Sequence, residues 1–154
     1  MKKISILITI LLLINGCGFK IVNKNNAITF YISDVNTAGE KRINYKLRNK
    51  LLSFNKIGEN PIILDLVTSK TKIIKEKNIK NEITKYSVII NTVITIRDST
   101  NNEIEKFKFE KNGEYNVSKQ HSQTLSNEKK LINLLTEELK KEIIDELIIR
   151  LDDL

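Results

Sequence analysis

The run from Glu82 to Asp98 constrains the fold most. It is seventeen residues long, contains no glycine or proline, and is dominated by β-branched and aromatic side chains. That composition fits a pleated surface, and the length is well beyond the usual strand of about five or six residues. Tyr86, Val88, Ile90, Thr92, Ile94 and Ile96 share one face, whereas Ser87, Ile89, Asn91, Val93, Thr95 and Arg97 share the other. One apolar side and one mixed side are what an antiparallel sheet needs when only one of its faces is covered. The chain must therefore supply further strands and something to lie on the even face.

Both are present in the pattern. Ala27 to Ser33 is rich in aromatic and β-branched residues and predicts a first strand. Thr37 and Glu40 have the spacing of a capping box, which predicts a helix starting there. Ile43, Leu47, Leu51 and Phe54 continue it as one buried face, with Lys41, Arg42, Lys46 and Lys50 mostly opposite. Gly58 and Pro61 close that unit, and Ile62 to Lys77 predicts a second strand. Asn78 to Asn81 is a polar turn into the long third strand.

Ser99 to Asn102 predicts a hairpin turn, and Glu103 to Glu110 returns as a fourth strand with Phe107 and Phe109 on one side. Lys111 to Gly113 predicts a break or bulge before Tyr115-Asn116-Val117. A long amphipathic helix follows from an N-cap at Ser126 to Leu151, buried along Ile132, Leu135, Leu139, Ile143, Leu147 and Leu151. Leu131, Leu134, Ile144 and Ile148 widen the stripe. The expected class is α+β in the order β-α-β-β-β-α, with two helices packed on one face of a four-stranded, mostly antiparallel sheet.

The N-terminus carries a different kind of signal. Lys2 and Lys3 precede an apolar run from Ile4 to Ile14, and Ile14-Asn15-Gly16 leads directly into Cys17, the sole cysteine. This is the layout of a bacterial lipoprotein signal peptide, cleaved so that an acylated Cys17 becomes the first residue. Eleven residues of helix cover only about 16 Å against a hydrocarbon core of about 30 Å, so the segment is too short to stay as a span. The expected organisation is a removed signal over 1–16, a lipidated tether over 17–26, and a single α+β domain over 27–154. Three acyl chains exceed the two signals that stable anchoring requires. With Cys17 consumed no disulfide can form, so stability must come from the apolar core.

The formal charge of +7 becomes +5 when Lys2 and Lys3 leave with the signal. Such a balance suits nucleic acid, anionic lipid or an acidic partner surface. Export argues against nucleic acid, and no RNA-binding or zinc motif supports it. Only four arginines accompany the abundant lysine, asparagine and isoleucine, a composition that A·T-rich coding would also produce.

Enzyme chemistry is not expected. His121, the one histidine, lies in the polar stretch Ser118–Thr124 away from any carboxylate or nucleophile cluster. No converging metal ligands, phosphate-binding glycine loop or nucleophile elbow is visible, and no cofactor is expected. Asp152 and Asp153 form a solvated terminus rather than a catalytic pair.

Several short phrases together resemble the LptE family of lipopolysaccharide-assembly lipoproteins. They are Cys17-Gly18-Phe19, then Leu47-Arg48-Asn49-Lys50-Leu51 ending an amphipathic helix. Tyr115-Asn116-Val117-Ser118 before a long helix closing on Ile148-Ile149-Arg150-Leu151 is similar too. The resemblance covers nearly the whole mature chain in element order. It implies a protein anchored in the outer membrane, facing the periplasm, that plugs the LptD β-barrel, assists its assembly and takes part in lipopolysaccharide transport. Gly18 fits that location, since the residue commonly retaining lipoproteins at the inner membrane is aspartate.

The resemblance also implies lipid contact around the second-to-third-strand hairpin. Lys70, Lys72, Lys75, Lys77, Lys80 and Lys85 face only Glu76 and Glu82 there. Lys75, Lys77 and Lys80 are the candidate lipopolysaccharide contacts, because ammonium groups bind phosphates as point charges. The competing reading of these lysines is a solvated strand edge protected from aggregation. The alternative for the whole chain is a structural or docking lipoprotein of the outer membrane that does not touch lipopolysaccharide.

Overall fold

A computed structural model describes residues 30–54 and 58–151. The signal segment 1–16, Cys17, the tether 17–26, the first three residues of the expected domain, and Asp152 and Asp153 lie outside the described residues.

The element order is β1 (Phe30–Gly39), α1 (Lys41–Leu52), β2 (Asn60–Lys77), β3 (Ile83–Arg97), β4 (Glu103–Asn116) and α2 (His121–Leu151). The strands form one sheet in the order β1-β2-β3-β4. β1 and β2 are parallel, as the intervening helix requires, and the other two pairings are antiparallel hairpins. This is the expected α+β class and order, with both helices on one face.

The even face of β3 is the covered one. Val88, Ile90, Ile94 and Ile96 are buried there beside Ile62, Leu64 and Leu66 of β2 and Phe109 of β4. Ile43, Leu47 and Leu51 come down from α1, and Leu135, Leu139, Ile143, Ile144, Leu147 and Leu151 from α2. Thr68 and Thr92 sit within this layer and satisfy one another, hydroxyl to hydroxyl at 3.2 Å. The helices meet through Lys46 to Asn133 and Lys50 to Glu137.

Four local expectations are corrected. Thr37 does not open a helix: β1 runs on to Gly39, and Glu40 occupies the N-cap with no side-chain hydrogen bond. The crossover turns instead on Gly39, at φ +94°, whose missing Cβ lets its backbone lie against the Thr68 carbonyl. The buried Asn44 pins the turn by donating from Nδ2 to the Ala38 carbonyl at 2.8 Å. Ser126 is not an N-cap, because α2 already begins at His121, which is thus helical and exposed rather than a loop residue. The Thr124 hydroxyl accepts from the Ser118 N–H at 2.9 Å and fastens that start.

The break expected at Lys111–Gly113 is absent, and β4 is continuous over fourteen residues. A Cβ on Gly113 would lie 2.6 Å from Leu131 Cδ1, so the glycine admits α2 to the strand rather than interrupting it. The first strand also extends further than Ser33, across a register shift between Ile32 and Asp34. Arg48 braces that irregularity by donating from Nε to the Val35 carbonyl at 2.9 Å and pairing with Asp34 at 3.0 Å.

Candidate functional site

The β2–β3 hairpin outruns the helical layer. Every residue from Thr71 to Glu82 is exposed, although β2 and β3 stay hydrogen-bonded out to Lys77 and Ile83. β2 alone is eighteen residues, about 60 Å at the usual strand rise. Phe30 aligns with Asn60 at the opposite end of that strand, so the N-terminal end of β1 and the hairpin tip lie at the two ends of the sheet. Phe30 and Leu151 line the same groove of about 330 Å³ at the far end, together with Pro61, Ile62, Asp98 and Ile104.

The arm leaves the body through a four-element cluster that single-strand periodicity could not reveal. Lys72 of β2 places its ammonium 2.7 Å from Glu128 Oε2 of α2, 4.2 Å from the centre of the Tyr86 ring and 5.3 Å from that of Tyr115. Tyr86 and Tyr115, cross-strand partners on β3 and β4, stack with centroids 5.6 Å apart. The Tyr115 hydroxyl donates to the same Glu128 oxygen at 2.7 Å. Coulombic, cation–π and aromatic contacts thus converge where the covered face ends.

Protonation follows from this geometry. Burial pushes the Glu128 carboxyl up, but hydrogen bonds from Lys72 and Tyr115 outweigh it and hold the group below its ordinary range. Burial likewise lowers Lys72, and its bonds to Glu128 and Tyr115 bring the net shift upward. Tyr115 is raised by burial and by its bond to Glu128. A carboxyl depressed on folding stabilises above its unfolded value and ceases to do so as pH falls through the folded one. The two raised groups lose their contribution only at alkaline pH. The latch is therefore closed at neutrality and opens in acid.

Hydrogen exchange across Lys70–Tyr86, corrected for intrinsic rates, should show this opening only as pH falls below about 4.5 and through the lowered Glu128 value. Glu128→Gln should exchange faster already at neutrality and respond little to further acidification. The expected gain is about fivefold in opening, on the order of 1 kcal/mol, because Lys72 remains one-third exposed and water screens the pair.

The candidate lysines are brought together on the arm but are not equivalent. Lys75 pairs with Glu114 of β4 at 3.3 Å. Lys77 donates to Asn81 Oδ1 at 2.9 Å across the turn. The Lys80 side chain makes no hydrogen bond or ion pair among the described residues. Lys85 is engaged by Glu76 at 3.1 Å and by Glu114 at 3.9 Å. The ammonium groups most available to an outside anion are therefore nearest the apex. An anion reaching Lys75 has to displace Glu114.

The apex itself is strongly ordered. Asn78 Oδ1 accepts from the N–H groups of Lys80 at 2.9 Å and Glu82 at 3.0 Å, and its Nδ2 donates to Glu82 Oε2 at 2.7 Å. Asn81 takes the left-handed conformation, φ 64°, that closes such a turn. This asparagine chemistry holds Ile79 outward with its side chain wholly exposed. Ile73 and Ile74 lie exposed on the two strand faces below it.

The odd face of the sheet carries neither helix, although Ser87 and Thr95 of that face are themselves buried. It mixes Val67, Val93 and Ile89 with Ser69, Thr71, Asn91 and Thr95, and a bridge from Arg97 to Asp65 at 2.6 Å marks its lower end. The Arg97 and Asn36 hydrogen bonds hold Asp65 below the usual carboxylate range. Among the described residues no three His, Cys, Asp or Glu side chains converge as a metal site, and no helix is long and apolar enough to cross a membrane.

No family model and no curated protein sequence matches the chain. The fold does have solved counterparts. A lipoprotein from Caulobacter crescentus aligns over 76% of this chain and 89% of its own, at 14% identity and a TM-score of 0.55. A minor lipoprotein from Acinetobacter baumannii aligns over 80% and 92%, at 12% identity and a TM-score of 0.53. Lipoprotein B from Nitrosomonas europaea aligns over 82% and 88%, at 14% identity and a TM-score of 0.51. The architecture is thus one that bacterial lipoproteins use, and the likeness extends across nearly the full length of each counterpart.

Proposed function

We propose that the chain is a lipoprotein of the outer membrane, held through an acylated Cys17 and facing the periplasm, and that it works with an LptD-like β-barrel. In this reading it plugs the barrel, assists its assembly and takes part in lipopolysaccharide transport, with the lysine-bearing arm meeting the lipid. The observation that carries the proposal is the separation of the two ends of the sheet. An anchor enters at the Phe30 end, and the most available lysines lie at the other, about 60 Å along β2 and farther than a hydrocarbon core of about 30 Å. A body of that length, seated upright in a barrel, keeps its anchor in the periplasmic leaflet and still carries cations past the far one. The sequence resemblance to LptE and the shared lipoprotein architecture support the same reading.

Depletion of the protein should lower the level of correctly assembled barrel and raise sensitivity to large hydrophobic antibiotics. Normal barrel levels with an intact permeability barrier would overturn the proposal and leave the structural or docking alternative. The arm is tested separately. Lys75, Lys77 and Lys80 replaced together by serine should weaken lipopolysaccharide binding about thirtyfold at low salt and flatten its salt dependence, at on the order of 1 kcal/mol for each of Lys77 and Lys80 and less for Lys75, which Glu114 already neutralises. The matched control is Lys129, Lys130 and Lys141, exposed along α2. Lys46 and Lys50 of α1 are unsuitable because they bind Asn133 and Glu137. Equal loss in both triple variants would reduce the effect to net charge.

A further inference from the structure

We infer that the apex of the β2–β3 arm is a bilayer-penetrating tip, with Ile79 entering the headgroup–acyl boundary of an anionic phospholipid membrane while Lys77 and Lys80 stay at the phosphate level. The inference goes beyond electrostatic contact with lipopolysaccharide and concerns the chain outside a barrel, since a tip enclosed in a barrel lumen does not reach a phospholipid bilayer. Its ground is the way Ile79 is presented. A fully exposed isoleucine at a turn, where polar residues are usual, leaves its whole apolar side chain to be gained by any apolar phase that receives it. Here the turn spends Asn78, Asn81 and Glu82 on holding that side chain outward.

The surroundings match a lipid surface rather than a protein pocket. One apolar side chain at the apex and two more at Ile73 and Ile74 are interleaved with Lys75, Lys77 and Lys80, and long lysine stems keep their charge at the interface while the apolar atoms go deeper. Beyond Thr68 the outer edge of β2 has no strand partner among the described residues, and the ladder shifts register between Ile74 and Lys77. Entry is therefore confined to the turn at Ile79, while the strands below it stay in water and headgroups.

The chain contains no tryptophan, which makes the test direct. Ile79→Trp and, as a reference on the helical layer, Tyr45→Trp are each introduced into the full mature protein and reconstituted into vesicles. One set is phosphatidylcholine alone and the other contains phosphatidylglycerol. In the anionic vesicles the emission at position 79 should shift to shorter wavelength and be quenched by bromine-labelled acyl chains, severalfold more than at position 45. Phosphatidylcholine alone should give much less. Adding Lys77→Ser and Lys80→Ser to Ile79→Trp should abolish the anionic preference. Solvent-like emission at position 79 in both vesicle types would overturn the inference, as would equal quenching at the two positions. A response appearing only when lipopolysaccharide or the barrel is added would overturn it too, by assigning the tip to that partner. Since the barrel and permeability assays do not involve vesicle insertion, the two proposals can fail independently.

Discussion

Cys17→Ser should abolish acylation outright and leave a precursor that the lipoprotein peptidase does not cleave. On the proposed lipoprotein reading the effect is all-or-none, because the Cys17 thiol would be the group that takes the diacylglycerol and a serine hydroxyl would not replace it in that transfer. Intact mass of the wild-type mature protein should begin at Cys17 with three acyl chains, and a mature species lacking them would refute the anchor. The core should survive the change. Phe30, Ile32 and Val35 are the first buried residues among those described, and every hydrogen bond and ion pair of the arm latch lies downstream of them. Fractionation should therefore find Cys17→Ser folded but absent from the outer membrane, as a precursor that keeps its apolar run Ile4 to Ile14. Loss of folding together with loss of anchoring would mean that residues upstream of Phe30 contribute to the core.

What the sequence made legible was whatever repeats along a single element. The even face of β3 could be read directly, because alternation over fifteen residues leaves no second register that buries Val88, Ile90, Ile94 and Ile96 together. The α2 stripe was legible for the same reason. Local punctuation was less informative. Thr37 and Glu40 have capping-box spacing, yet β1 continues through Thr37 to Gly39 because pairing with Leu66 to Thr68 holds that segment extended. Gly113 suggests a break, but what it meets is Leu131, eighteen positions on in α2, just as Gly39 meets the Thr68 carbonyl of β2; both glycines are set by tertiary approach.

The site was legible as a region and hidden as a mechanism. A lysine-rich hairpin can be counted from composition, but which lysines are already neutralised depends on Glu114 across β4 and Glu128 on α2. The Lys72–Tyr86–Tyr115–Glu128 cluster draws one residue from each of four elements, and no spacing along the chain encodes it. Ile79 looked like an ordinary turn residue. Its significance lies in the Asn78 hydrogen bonds that hold the turn and in the absence of any covering layer among the described residues.

Leu139→Ala should be the most destabilising of the helix substitutions. Leu139 is completely buried at the middle of α2, and its removal deletes apolar contact on a side where the sheet cannot follow, since β2, β3 and β4 are fixed by their ladders. Buried leucine-to-alanine changes cost about 3–5 kcal/mol, combining lost transfer free energy with a residual cavity. For a domain without a disulfide among its described residues that is a large share of a total stability of roughly 5–15 kcal/mol. Leu134→Ala provides the internal comparison: the same chemical change on the same helix, at a side chain 55% exposed, should cost under about 1 kcal/mol. Urea denaturation of both variants would measure the difference as a shift in midpoint with little change in slope. Similar losses for the two would mean that a partner or a second layer covers the outer face of α2 in the measured state. A small loss at Leu139 would mean that α2 does not pack on the sheet in the way that buries Leu135, Ile143 and Leu147 with it.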